Sequence, residues 1–288
     1  MLRRLDLHPA PDAGPDVFTT THQPIPSGRA YGGELVAQAL AAATRTVDPR
    51  RRPHSLHGYF LRPADVSRPT TWHVQRVRDG RGFTARSVRG EQGGKAVFEA
   101  MLSFHLPRAG VRHAASPPVG LRRPEELPST EQALSASVQG QDVRDAHYWA
   151  RERGFDVRHD PRPLYTTPDP ERGTEQAVWF RAWERLPDDP AVHRTALAYF
   201  CDYTLLEPVL RHHGVHWTAP GLVTASVDHA LWFHADGRLD EWNVLVQGSP
   251  AAGNGLGLGT ANVFSASGEL LATVAQQGVV LTGDEEAL

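Results

Sequence analysis

The feature that most constrains the fold is a long internal repeat that runs through both halves of the chain. Fourteen positions separate Gly58 from Trp72, and fourteen positions also separate Asp228 from Trp242, at an offset of 170 residues. A repeat of this length indicates two copies of one structural unit, and it argues against a short-period solenoid. The chain has 288 residues, which is enough for each copy to bury a core of its own.

Each copy is predicted to be one long helix followed by an antiparallel meander. In the first copy, a Gly-rich loop enters an Ala-rich helical pattern over residues 27–47, and four short β-branched segments follow. In the second copy, a strand near 177–186 precedes a helix over His193–His212, and four comparable segments follow. Turns at Gly94 and Gly268 match at an offset of 174, which a small insertion explains.

A long helix wrapped by an antiparallel sheet is the hotdog arrangement, so the repeat predicts an α+β fold with two hotdogs in tandem. We expect the two sheets to be joined edge to edge, because that pairing removes two exposed edges. The expected boundaries are 1–106 for the N-terminal hotdog and 177–288 for the C-terminal hotdog. Two unrelated α+β domains are the alternative, and they fit the register less well.

The segments outside the two copies are predicted to be simpler. Residues 1–27 form a leader with strand potential near Val17–Thr21. The Pro-rich stretch 107–176 is predicted to be an inter-domain connection with one short helix near Pro128–Val138 and a strand near Phe155–Val157.

Composition excludes several classes of protein and site. A net charge of −3 leaves no global basic footprint for nucleic acid. The single cysteine, Cys201, excludes an internal disulfide and a cysteine-rich metal site. No stretch approaches about 18 apolar residues, and the N-terminus has no apolar run long enough for a signal peptide. We therefore expect a soluble cytoplasmic protein with no membrane span.

The predicted helix of the second copy carries a carboxylate, Asp202, on its apolar side. A lone acid among apolar residues is costly to bury, so it needs either a hydrogen-bond partner or a catalytic role. Two later segments each offer a partner, Ser226 in the strand after the helix and Gln276 in the last strand. The functional hypothesis depends on whether these three groups meet.

Six motifs resemble those of the bacterial acyl-CoA thioesterase II family, in the same order between about Ala30 and Val280. They are "YGGELVAQAL", "HSLHGYFLRPAD", "VRDGRGFTARSV", "LAYFCDYTLL", "SVDHALWFH" and "LLATVAQQGV". The resemblance implies a double hotdog that hydrolyses fatty acyl-CoA to free acid and CoA, with no cofactor. It also implies that Asp202, Ser226 and Gln276 form the catalytic group. The family resemblance further implies that the protein assembles as a dimer or tetramer.

In such a site we expect Asp202 to be the base that accepts a proton from the attacking water, while Ser226 and Gln276 orient that water. Ser226 as an acylated nucleophile and Cys201 as a nucleophile are the alternatives. The repeat makes the first copy apolar at the matching positions, which are Leu56 for Ser226, Leu102 for Gln276 and the neighbourhood of Leu40 for Asp202. One active site per chain follows, with the first half supplying walls.

Four further residues are predicted to bind substrate: Gly33, His57, Tyr59 and Asp228. Gly33 stands at the start of the first helix, where backbone amides can stabilise an anion. His57 and Tyr59 lie on the strand after that helix. On a continuous strand, Asp228 would share a face with Ser226. No metal site is predicted, because the pairs His54/His57 and His229/His234 are each spaced to opposite strand faces.

The chain departs from the family pattern at two arginine positions. Leu256 stands where the pattern has an arginine, and the last strand continues to Leu281 where the family strand ends in arginine. Five arginines remain as candidates for CoA phosphate contacts: Arg29, Arg62, Arg78, Arg81 and Arg86. A thioesterase for carrier-protein-bound acyl chains and a non-catalytic acyl-CoA binding module are therefore the competing hypotheses. A hotdog hydratase is disfavoured, because no Asp/His pairing surrounds Asp202.

Overall fold

The structure is a computed structural model that describes residues 5–138 and 146–283. Within these residues the strands are β1 (His8–Pro9), β2 (Val17–Thr20), β3 (Arg52–Phe60), β4 (Thr70–Asp79), β5 (Phe83–Gln92), β6 (Lys95–His105), β7 (Phe155–Asp160), β8 (Glu175–Ala182), β9 (Val223–Ser226), β10 (Asp228–Phe233), β11 (Asn243–Gly253), β12 (Leu256–Ser265) and β13 (Leu270–Leu281). The α-helices are α1 (Gly32–Thr44), α2 (Thr130–Val138), α3 (Pro190–Phe200) and α4 (Glu207–His213).

Two compact units make up the chain. Unit 1 comprises Met1–Ala114, Asp188–Tyr203 and Asp228–Asp236, and unit 2 comprises Ala115–Pro187, Thr204–Val227 and Gly237–Leu288. The chain therefore passes from one unit to the other several times. The domain boundaries expected from the repeat lie after residues 106 and 176. They mark where the first sequence copy ends and the second begins, and they stay a prediction.

Unit 1 places α1 and α3 together with an antiparallel sheet of order β1-β2-β4-β5-β6-β3-β10. Strand β2 confirms the strand predicted near Val17–Thr21. Helix α1 is buried on almost every side, and its many alanines let it pack closely against strands β3 to β6 and against α3. The fully buried Trp72 satisfies its indole N–H by donating to Thr20 Oγ1 at 3.0 Å.

Unit 2 packs α4 on an antiparallel sheet of order β13-β12-β11-β8-β7, and β9 pairs with β13. The Asn254-Gly255 turn between β11 and β12 has positive φ at both residues, as a tight two-residue hairpin requires. Helix α2 packs against β7, which confirms the short helix and the strand expected in the Pro-rich connection. Each unit thus has the predicted hotdog arrangement. Every helix in the described part of the chain is too short or too polar to cross a membrane.

The single helix predicted over His193–His212 is wrong, because residues 201–206 separate α3 from α4. Pro208 stands in the first turn of α4. A proline there is tolerated, but inside a continuous helix its ring would clash with the carbonyl four residues earlier. Within unit 2, Leu205 packs on the sheet instead. A Cβ at Gly259 would lie 2.0 Å from the Leu205 carbonyl oxygen, so only glycine permits this approach.

The counterpart of α1 in the second copy is α4. Glu34 in the first turn of α1 and Glu207 in the first turn of α4 are both fully buried, and 173 residues separate them. That offset lies between the 170 and 174 found elsewhere in the repeat. It aligns Asp202 with Arg29 rather than with the neighbourhood of Leu40. Helix α3 is therefore an addition that precedes the repeated helix.

Candidate active site

One group of candidate residues lies in unit 1, where Asp202 contacts the beginning of α1. The Gly33 N–H donates a hydrogen bond to Asp202 Oδ2 at 2.8 Å. Tyr31 is the N-cap residue of α1, and its side chain makes no capping hydrogen bond, so the half-buried Asp202 supplies an acceptor that the local sequence lacks. A Cβ at Gly32 would lie 2.6 Å from Asp202 Oδ2, which explains the glycine there.

Three tyrosines surround the turn that carries Asp202. The Tyr31 hydroxyl donates to the Tyr199 carbonyl oxygen at 2.9 Å, and the Tyr31 ring stacks on Tyr203 with centroids 4.2 Å apart. The Tyr199 hydroxyl donates to Gln23 Oε1 at 3.1 Å. Tyr31 was not among the predicted site residues. The signal was present, because an aromatic residue followed by two glycines leaves a helix without a local N-cap.

A second group of candidate residues lies in unit 2, where Ser226 and Gln276 meet. The Gln276 side-chain amide donates to Ser226 Oγ at 2.9 Å. Strand β9 pairs with β13 so that Ser226 faces Gly278, two residues beyond Gln276. Gln276 is only 1% exposed, so its amide is shielded from bulk water. The structure thus brings together two of the three predicted catalytic residues within this unit.

A further polar pair in unit 2 was not predicted. The Thr204 hydroxyl donates to Gln247 Oε1 at 3.3 Å, and both side chains are buried. The Nε2 atom of Gln247 has no hydrogen-bond partner among residues 5–138 and 146–283. A buried amide donor of this kind can be satisfied by a polar group of a ligand or by an ordered water. A glutamine directly after the apolar run Val244–Val246 was the available signal.

The continuous strand on which Asp228 was expected to share a face with Ser226 is not formed. Strand β9 ends at Ser226 and β10 begins at Asp228, and the N–H of the intervening Val227 donates to the Gln277 carbonyl. The alternation of side chains between two faces applies along a continuous β-strand, and the strand is interrupted here. Asp228 belongs to unit 1, where its Cα faces that of Tyr59 on β3.

The predicted substrate contacts His57 and Tyr59 lie on the opposite face of β3 from Phe60. The ring of Phe60 approaches Gly32, whereas Tyr59 is 58% exposed and His57 packs edge-on against Trp232 at 5.0 Å. Within unit 1 the structure therefore separates these two residues from Asp202. Gly33 is the predicted contact that does meet Asp202, through its backbone N–H.

Cys201 is a poor nucleophile despite its position beside Asp202. Burial raises the pKa of the Cys201 thiol, and the negative charge of Asp202 raises it further. The reactive form of cysteine is the thiolate, so such a pKa works against attack on a carbonyl. Among the residues that the structure describes, no group of three or more histidine, cysteine or acidic residues is arranged to hold a metal ion.

A buried polar network in unit 2 anchors α4, which follows directly on the Thr204–Leu206 segment. Glu207 accepts hydrogen bonds from Gln176 at 2.7 Å and Trp217 at 2.8 Å, and it lies 3.3 Å from His159. Burial alone would raise the pKa of Glu207. The His159 charge and the hydrogen bonds outweigh burial and lower that pKa to about 2.

One turn further along α4, the buried Arg211 pairs with the buried Asp169. Asp169 belongs to the Pro-rich connection, so this ion pair ties that segment to α4. A buried charge without its partner is strongly unfavourable, so each member of the pair requires the other.

Comparison with known proteins identifies relatives along nearly the whole chain. The family model described as "Acyl-CoA thioesterase N-terminal domain" matches residues 21–105, and the one described as "Acyl-CoA thioesterase" matches residues 151–279. Acyl-CoA thioesterase 2 of Haemophilus influenzae is 31% identical over 92% of each chain. Human acyl-coenzyme A thioesterase 8 is 32% identical over 92% of this chain and 84% of its own length.

Solved structures show the same similarity. The crystal structure of acyl-CoA thioesterase II TesB2 from Mycobacterium marinum is 36% identical, covers 98% of both chains and has a TM-score of 0.79. A hotdog-fold protein from Alicyclobacillus acidocaldarius, at 20% identity and a TM-score of 0.76, agrees in fold.

Proposed function

The chain belongs to the acyl-CoA thioesterase II family and is an acyl-CoA thioesterase, and from this premise we propose that Asp202 activates the water that cleaves the thioester. Ser226 and Gln276 hold and orient that water. The contact that carries the proposal is the 2.8 Å hydrogen bond from the Gly33 N–H to Asp202. A donor at a helix N-terminus stabilises a negative charge, so it favours the ionised carboxylate that a general base must be.

The proposed reaction needs no covalent enzyme intermediate. The water oxygen attacks the thioester carbonyl carbon while the Asp202 carboxylate takes up the water proton. The tetrahedral intermediate then collapses, the carbon–sulfur bond breaks, and the sulfur leaves with the proton that Asp202 returns. The products are the carboxylic acid and CoA. A single base serves both proton transfers, as general acid–base catalysis allows.

Ser226 and Gln276 suit the water-holding role because of how they pair. The Gln276 amide donates to Ser226 Oγ at 2.9 Å, which leaves the serine hydroxyl hydrogen directed elsewhere. A hydroxyl and an amide together offer donors and acceptors to a water molecule. The preserved order of the family motifs supports joint action of these two residues with Asp202.

Thiol release from acyl-CoA esters of short, medium and long chain tests the proposal. The native protein is compared with Asp202→Asn, and Asp12→Asn at an exposed aspartate is the matched control. Loss of a general base lowers kcat by about 10²- to 10⁴-fold, so Asp202→Asn should show that loss at nearly unchanged KM, and the control should show none. Full turnover by Asp202→Asn would refute the assignment of the base.

The same assay separates CoA esters from acyl carrier protein esters. Leu256, at the start of β12, stands where the family pattern has an arginine, and this favours a carrier-protein substrate as the second candidate. Folded protein that turns over only the carrier-bound form of a given acyl chain would establish that alternative.

We also propose a homo-oligomer, a dimer or tetramer, located in the cytoplasm. Sedimentation and cell fractionation measure these two properties.

A further inference from the structure

We propose that Tyr31 is a positioning residue that holds the Asp202 carboxylate against the N-terminus of α1. The inference rests on the proposed role of Asp202 as the base. Tyr31 does not need to touch the substrate for this role. It fixes the backbone on both sides of Asp202 and, at the same time, the helix end that donates to it.

The first contact lies on the N-terminal side of Asp202. In a continuing helix, the Tyr199 carbonyl would accept from the N–H of residue 203. Helix α3 ends at Phe200, and the Tyr203 N–H donates to the Phe200 carbonyl instead. The Tyr31 hydroxyl supplies a donor to the Tyr199 carbonyl at 2.9 Å. A side chain from another part of the sequence thus caps the end of α3, three residues before Asp202.

The second contact lies on the C-terminal side of Asp202. The Tyr31 ring stacks on the Tyr203 ring with centroids 4.2 Å apart and planes only 13° from parallel. Tyr203 is 6% exposed and directly follows Asp202 in the chain. One side chain therefore holds the turn at residues 199 and 203, with Asp202 between them.

The third contact joins this turn to its hydrogen-bond donor. Tyr31 immediately precedes α1, and Gly33, two residues later, donates its N–H to Asp202 Oδ2 at 2.8 Å. The atoms around Gly33 are tightly packed. A Cβ at Gly33 would lie 2.2 Å from the Tyr199 carbonyl oxygen and 2.6 Å from the Tyr31 ring and hydroxyl. Donor and acceptor are thus fixed by the same residue.

Tyr31→Phe tests the proposal, because it removes the hydroxyl and keeps the ring stack. A displacement of about 1 Å in a reacting group can cost on the order of 10²-fold in rate. We expect kcat to fall at least about tenfold, with KM changed less than about twofold. Tyr165→Phe is the matched control, since it removes a buried tyrosine hydroxyl that bonds to Thr130 at 3.1 Å in unit 2. Tyr165→Phe should leave kcat unchanged, although it should change Tm by about as much as Tyr31→Phe does.

A double-variant cycle distinguishes positioning from general stabilisation. If Tyr31 acts through Asp202, adding Tyr31→Phe to Asp202→Asn should cause no further loss of the residual kcat. An equal loss in both backgrounds, or native kcat in the single variant, would overturn the role of Tyr31 while leaving Asp202 as the base. Native turnover by Asp202→Asn would instead refute the function on which the inference rests.

Discussion

Replacing Gly33 by alanine sets two physical effects against each other at the centre of the candidate site. Gly33 is the second residue of α1, and alanine is favoured over glycine in a helix by about 1 kcal/mol. On helix propensity alone, the substitution should stabilise the protein. The packing at this position predicts the reverse.

The size of the clash decides the outcome. The new Cβ would lie 2.2 Å from the Tyr199 carbonyl oxygen, a backbone atom that cannot rotate away, whereas real contacts need at least 3.0 Å. The start of α1 and the end of α3 must therefore separate by roughly 0.8 Å. Overpacking of this kind typically costs about 1–3 kcal/mol, which equals or exceeds the gain in helix propensity of about 1 kcal/mol. The same opening draws the Gly33 N–H away from Asp202.

Gly33→Ala should accordingly lower the free energy of unfolding by up to about 2 kcal/mol after the propensity gain is subtracted. Because a 1 Å misplacement can cost on the order of 10²-fold, kcat should fall by a factor of that order. Urea denaturation and thiol release measure the two quantities. Gly110→Ala is the control, since a Cβ there meets nothing within 4 Å. A Gly33→Ala protein more stable than the native one, with native kcat, would refute the reasoning.

Three further predictions concern residues in unit 2. The pKa of Glu207 is about 2 in the folded protein, against an ordinary value of 4.5, so its ionised form stabilises the fold above pH 4.5 and this contribution disappears as the pH falls toward 2. Glu207→Gln should therefore lose roughly 3 kcal/mol at neutral pH, and the difference in urea midpoint between this variant and the native protein should shrink by about half as the pH falls from 7 to 3. Asp169→Asn leaves Arg211 buried without its charged partner and should cost about 3–5 kcal/mol, whereas Asp169→Leu combined with Arg211→Met should recover most of that loss in the same denaturation assay. Ser226→Ala should lower kcat without abolishing it, because a water-holding hydroxyl is partly replaced by solvent, and steady-state thiol release measures this.

Each of these predictions has a specific contradicting result. A pH-independent difference between Glu207→Gln and the native protein would mean that ionisation of Glu207 does not support the fold, and Glu125→Gln at an exposed position provides the baseline. An Asp169→Asn protein as stable as the native one would show that Arg211 finds another partner. Complete loss of turnover in Ser226→Ala would favour the nucleophile hypothesis.

The sequence predicted the architecture well because the repeat and the alternation of apolar residues are local signals. Strands β3 to β6 and β10 to β13 all occur where the β-branched segments stand. The helix predicted across residues 201–206 was wrong, although Pro208 was a visible breaker. The break also depends on Gly259, fifty or more residues away, whose missing Cβ lets Leu205 approach the sheet. Such a tertiary contact leaves no periodic signal.

The candidate site was predictable in its residues and less so in its geometry. Asp202 was identified as an acid that needs a partner, and the partner in unit 1 proved to be the Gly33 N–H. The meeting of Ser226 and Gln276 depends on the register between β9 and β13, which turn lengths alone do not determine. The strand through Ser226 and Asp228 was assumed to be continuous, because a one-residue interruption cannot be recognised from alternation alone.

Single-turnover hydrolysis followed by mass spectrometry of the intact protein tests the central claim most directly. Native protein and Asp202→Asn are each mixed in excess with an acyl-CoA that the native enzyme hydrolyses, and the reaction is quenched over time. Direct attack by an Asp202-activated water predicts no acylated protein at any time, and a rate constant for Asp202→Asn lower by at least about 10². An acyl adduct on Ser226, or an Asp202→Asn rate equal to the native one, would contradict the account.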